Sequence, residues 1–245
     1  MYEYYLLFFG LILLCSIFAG SASAKVNSTF HAYKDVPTRS HMTGYDTATR
    51  LLRRGGVTDV SVQKVKGTLT DHYHPTKKAV NLSQATYGND SVAAVAVAAH
   101  EVGHVMQRKS GYIPYKLRQW LVPITNVGSR LALPLVLLGL LLDLFVFGTS
   151  ESSWGYVLAI IGVVAYGLST LFALVTLPVE YNASRRAKQM LLEEGIVTEE
   201  EMPYVEDMLG AAARTYVASL LTSLVFFLRF AVWVMMLFGG RRRRN

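Results

Sequence analysis

The chain has 245 residues, 52% hydrophobic and only 17% charged, with a formal net charge of +7 and a single cysteine. Soluble domains carry about 25% charged residues, so this deficit argues against an ordinary soluble globular protein, and the lone Cys15 leaves no disulfide framework and no thiolate zinc site. The basic residues border apolar runs, where they are expected as orientation signals; no nucleic-acid partner is expected.

Four apolar runs set the frame. Residues 4–24 and 152–179 carry no charge, residues 131–150 are broken only by Asp143, and residues 215–240 only by Arg229. Each reaches the roughly 20 residues that a spanning helix needs, so the bilayer is one expected partner and membrane proteins are others. The first run ends in Gly20-Ser-Ala-Ser-Ala24, which resembles a signal-peptidase site. The preceding residues carry one negative charge and no positive one, which is wrong for a signal peptide, so a retained anchor is expected. Asp143 and Arg229, the two charges inside apolar runs, are expected to pair or to face a polar crevice.

Between the first two runs lies a polar block, residues 25–122. Thr43 with Asp46 three positions on predicts a helix start, Ala48, Leu51 and Leu52 give that helix an apolar face, and Gly55-Gly56 ends it. Val57, Val60, Val62 and Val65 then alternate as in short strands, and residues 67–82 read as a hairpin turning at Pro75-Thr76. Next comes a predicted helix, residues 92–108, with Ser91 as its cap. It contains His100-Glu-Val-Gly-His104. Residues four apart share a helix face, so both imidazoles can reach one zinc ion and fill two of its four tetrahedral positions. Glu101 is then near enough to take a proton from a metal-activated water.

Pro123 opens the second run, and a short loop at 150–153 returns the chain through the third. A helix-like segment begins at Leu177 and ends near Gly195. Thr198 to Glu201 is a second capping box, starting a helix that continues into the fourth run. A catalytic zinc needs a third protein ligand. His31, His41, His72, His74, Asp71, Glu180 and the acidic cluster 193–201 are the options. Glu180 stands out as the first charged residue after the membrane hairpin, which delivers it back beside the polar block.

Several separated segments have a familiar look. Lys25-Val-Asn-Ser-Thr-Phe30, Leu69-Thr-Asp-His-Tyr73, Val97-Ala-Ala-His-Glu-Val-Gly-His104, Leu177-Pro-Val-Glu-Tyr-Asn-Ala-Ser-Arg-Arg186 and Ala213-Arg-Thr-Tyr-Val217 resemble the YugP-type membrane neutral zinc metallopeptidases. The resemblance implies a zinc peptidase acting on protein or peptide substrates, with His100, His104 and Glu180 as ligands of one zinc per chain and Glu101 as general base. Glu180-Tyr-Asn-Ala183 is similar, more distantly, to the E-x-x-A signature of the HtpX and CAAX-protease group. In that group an aspartate follows; here Ser184 stands in its place, so orientation of a ligand histidine would come from a hydroxyl. Arg185, Arg186, Tyr181 and His72 are the candidates for oxyanion or substrate contacts.

The expected fold is thus an α-helical multi-pass membrane protein with about four transmembrane helices and a small α+β zincin-like metallopeptidase domain. The expected layout is an anchor at 1–24, the α+β block with the H-E-x-x-H helix at 25–122, a transmembrane hairpin at 123–178, a helical block with the third ligand at 179–215, and the last helix with a basic tail at 216–245. The alternative function is a non-catalytic zinc-binding scaffold or partner-binding subunit, against which Glu101 argues because zinc does not need it. A metal transporter is disfavoured, since both histidines lie outside the apolar runs whereas transport sites sit near the midplane. Basic residues concentrate in the polar block and at 185–214, which predicts a cytoplasm-facing catalytic domain; the Arg241–Arg244 tail points the other way.

Overall fold

The computed structural model describes residues 2–142 and 154–239. The chain divides into two compact units, Gly20–Tyr115 with Leu177–Tyr216, and Met1–Ala19 with Lys116–Thr176 and Val217–Asn245.

The first of these holds the polar block. Helix α1 (Tyr2–Tyr33) outlasts its apolar run, because no Gly or Pro interrupts residues 25–33. Its end is tied down in this unit by Lys25, which meets the Asp207 carboxylate at 3.2 Å, and by Phe30, which is buried in the core. Helix α2 (Gly44–Arg54) starts on a full capping box: Asp46 N–H donates to Thr43 Oγ1 and Thr43 N–H donates to Asp46 Oδ2, both at 3.2 Å. Leu51 and Leu52 carry its apolar face into the core.

Strands β1 (Ser61–Val65), β2 (His72–His74) and β3 (Ala79–Ser83) form one sheet in the order β1-β3-β2. The hairpin forms about residues 75–78, with His74 opposite Ala79, whereas β1 runs parallel to β3. Val57 stays outside the strand; its N–H closes α2 on Leu52 O. A one-turn helix α3 (Gln84–Tyr87) leads to α4 (Val92–Lys109), whose first turn is capped by Ser91 Oγ accepting from Ala94 N. The alanines and valines of α4 are nearly all buried, which makes it the central helix of this unit.

The helix-like segment at 177 is no separate element. It is the last part of α6 (Trp154–Glu193), a single helix that Pro178 does not end. Gly195, at φ +61°, supplies the left-handed residue that ends the run, while Ile196 N–H returns to Leu191 O at 3.0 Å. The second capping box forms only in half. Glu201 Oε2 accepts from Thr198 N–H at 2.9 Å, but Thr198 Oγ1 finds no partner, and α7 (Met202–Gly239) begins later than the sequence predicts. Glu201 is also engaged from outside the turn, accepting from Arg39 N–H at 2.8 Å.

The second unit holds the apolar helical segments. Among the described residues, three helices are long and apolar enough to cross a membrane, Tyr2–Tyr33, Trp154–Glu193 and Met202–Leu237. A fourth candidate is α5 (Ile113–Leu142), whose parts Ile113–Gly128 and Arg130–Leu142 meet at a 40° bend. Pro134 has no N–H to offer the carbonyl of Arg130, four residues earlier, which is where the bend lies. Pro123 sits inside this helix instead of opening it. Val136, Ala159 and Val234 form a small core, while Phe9, Leu14 and Val164 are exposed, as expected of surface a bilayer covers. Tyr4 Oη donates to the backbone carbonyl of Arg229 at 2.6 Å. Asp143, the expected partner of the Arg229 side chain, lies outside the described residues, as do the 150–153 loop and Arg241–Arg244.

Candidate active site

Helix α4 presents His100 and His104 on one face, their rings 4.9 Å apart and nearly perpendicular. Against that face lies α6, which carries Glu180. The approach is close because residue 103 is glycine: a Cβ there would stand 2.6 Å from the Ala183 carbonyl oxygen. Glu180 Oε2 consequently lies 3.2 Å from His100 Nε2 and 3.5 Å from His104 Nε2. Among the described residues these three form the one group of His, Cys, Asp or Glu side chains able to hold a metal ion, with ligand atoms within 4.8 Å of one another.

The donor set fits zinc. Two imidazoles and one carboxylate form the common set of a catalytic site with an open fourth position. Atoms about 2.0–2.1 Å from a tetrahedral zinc stand roughly 3.4 Å from one another, close to the two separations observed. Glu180 is 2% exposed. Burial alone would lift its carboxyl, but hydrogen bonds and charge from His100 and His104 prevail and hold it well below the usual carboxylate range.

Each ring is held by its other nitrogen. His104 Nδ1 lies 3.0 Å from Gln107 Oε1, and Gln107 Nε2 donates to Val179 O at 2.7 Å and Asn182 Oδ1 at 3.1 Å. An amide whose nitrogen is so committed can only accept through its oxygen, so Nδ1 of His104 carries the proton and Nε2 keeps its lone pair for a metal. His100 Nδ1 lies 3.1 Å from Ser184 Oγ. Neither Gln107 nor Asn182 was singled out from the sequence. The signal for Gln107 was its place three residues after His104, on the same helix face.

Glu101 points to the strand side of α4. Its Oε2 accepts from the backbone N–H of Tyr73 at 2.8 Å, and the Tyr73 hydroxyl is fixed by Arg108 at 2.9 Å. Burial pushes the Glu101 carboxyl up to about 7, and the opposing influences of His100 and the Tyr73 N–H do not undo this. That value suits a group that must both take and give a proton near neutrality.

The other sequence candidates are placed differently. Arg186 donates to Asn182 Oδ1 at 2.8 Å and to Ser110 Oγ at 3.1 Å, so its guanidinium braces the support of His104. Arg185 and Tyr181 are exposed. His72 is exposed on β2, its ring 2.9 Å from Thr70 O and 3.1 Å from Asn81 Nδ2. His41 meets Asp90 and His74 accepts from Lys77 N–H, while Asp71 Oδ1 accepts from Ser83 N–H at 2.7 Å; none of them joins the triad.

Comparison with known proteins agrees with this geometry. Residues 5–236 match the family described as "Putative neutral zinc metallopeptidase". The chain is 42% identical over 222 residues to "Putative membrane protease YugP" of Bacillus subtilis (strain 168), covering 90% of this chain and 92% of that one. No solved structure matches it significantly. A likeness running through nearly all of both chains settles the family: this protein belongs to the neutral zinc metallopeptidases.

Proposed function

We propose that the protein is a membrane-embedded, zinc-dependent endopeptidase in which His100, His104 and Glu180 hold one zinc ion per chain and Glu101 is the general base. The observation that carries this reading is the meeting of a two-histidine, one-carboxylate donor set with a separate buried carboxylate on the adjoining residue. When bound, zinc would lower the pKa of a water molecule and polarise the scissile carbonyl. Glu101 takes the proton of the attacking water and passes it to the leaving amine. The Tyr73 N–H keeps one of its oxygens oriented, leaving the other for that transfer. Gln107 and Ser184 hold the ligand rings in place.

The expected domain layout, with four spans and a cytoplasm-facing catalytic block, is part of the same proposal. A scaffold that merely held zinc would not need a second buried carboxylate beside the ligand set, and Glu101, held by the Tyr73 N–H through one oxygen, keeps the other for chemistry. The test is cleavage of an unfolded protein by the purified full chain. Activity that is lost with a chelator and restored by zinc supports the reading; cleavage indifferent to the chelator, or none with zinc bound, overturns it.

A further inference from the structure

Three of the segments quoted above, those at 25–30, 69–73 and 213–217, contribute no metal ligand and no base. Parts of all three meet in one cavity of about 330 Å³, and His100 and Glu101 form part of its wall. Val26 of α1, Leu69 before β2, Val97 of α4 and Leu209 of α7 make most of the lining apolar, and Ala212 on α7 is its smallest side chain. Asp71 and Glu101 are its carboxylates, and no Lys or Arg lines it. At this size it lies at the lower end of ligand pockets, suited to a side chain and not to a whole folded ligand.

We propose that this cavity receives an apolar side chain of the polypeptide substrate next to the scissile bond, and that Ala212 sets how large that side chain can be. The inference rests on the peptidase reading and adds the substrate class to it. Three features support it. The cavity adjoins the base, so an occupant anchored there lies beside the reacting atoms. Its apolar walls gain by excluding water. Its two carboxylates, Asp71 and Glu101, with no Lys or Arg on the wall to offset them, disfavour an acidic side chain there.

The experiment uses the full chain, zinc-loaded in detergent, on reduced casein, with cleaved bonds mapped by mass spectrometry. Leu, Met or Phe should dominate at one flanking position over Gly, Ala, Asp and Glu, by about 10- to 200-fold. Ala212→Phe should move that same position toward Gly, Ala and Ser while zinc content is kept. Met208 of α7 is another residue of the wall; Met208→Ala, which enlarges the cavity, should move it toward Trp and serves where the phenylalanine variant fails to fold. A preference for Lys or Arg, no preference, or a preference unmoved in folded variants overturns the pocket. A binding arm separates this outcome from failure of the peptidase reading. In Glu101→Gln protein, a dansylated leucine-containing peptide should bind at least about tenfold tighter than its glycine counterpart, a difference that Ala212→Phe erases. Equal affinities overturn the pocket; a leucine preference without any cleavage by the wild type overturns the peptidase reading alone.

Discussion

Gly103 of α4 faces the backbone carbonyl of Ala183 in α6 so closely that a Cβ would stand 2.6 Å from the oxygen. This contact lets a residue of α6 reach the two histidines of α4. A backbone oxygen inside a helix cannot move aside as a flexible side chain can. Gly103→Ala gains about 1 kcal/mol of helix propensity, yet overpacking costs about 1–3 kcal/mol. The variant is expected to lose zinc content and to melt a few degrees lower, with Gly103→Val worse on both counts. Metal analysis and a thermal melt of the same preparations check this; wild-type zinc content in the valine variant would show that the close approach does not position Glu180.

Gln107 and Ser184 support one ligand histidine each, but in different surroundings. Gln107 is fully buried, whereas Ser184 is partly exposed. Removing the amide leaves His104 Nδ1 without its partner in a dry site, while water can replace the serine hydroxyl. Gln107→Ala should weaken zinc binding by about 10- to 100-fold and Ser184→Ala by less. Competition titration against a fluorescent zinc chelator gives both numbers; a larger loss at Ser184 would reverse the ranking.

The proposed orientation rests on the basic residues at 181–188 next to the third apolar run. The catalytic block is expected on the cytoplasmic side. Single cysteines at Ser61 and Asn245, in a Cys15-free background, should react with an impermeant thiol reagent in intact cells at Asn245 and not at Ser61. The opposite pattern would place the block outside.

The sequence carried the local parts of this site well. His100, Glu101 and His104 belong to one helix whose cap and periodicity are local signals, and the α2 capping box and the 75–78 hairpin are equally local. The register of Gly103 on Ala183 was not readable, because it depends on how two distant helices pack. The roles of Gln107 and Arg186 were missed for the same reason: their partners, Val179, Asn182 and Ser110, are fixed by tertiary contact. Hydropathy marks where an apolar run ends, not where a helix ends. The apolar run stops at Ala24 and α1 at Tyr33, because a helix can leave a bilayer without unwinding. The cavity beside Glu101 draws on segments nearly two hundred positions apart, which no periodicity connects.

The central claim separates two roles on neighbouring residues: His100 holds the metal and Glu101 moves the proton. The most direct measurement is zinc stoichiometry and casein cleavage on one preparation of Glu101→Gln. The expected result is one zinc per chain, as in the wild type, with cleavage reduced by about 10²- to 10⁴-fold, the usual worth of a general base. Cleavage at the wild-type rate with zinc retained would contradict the account.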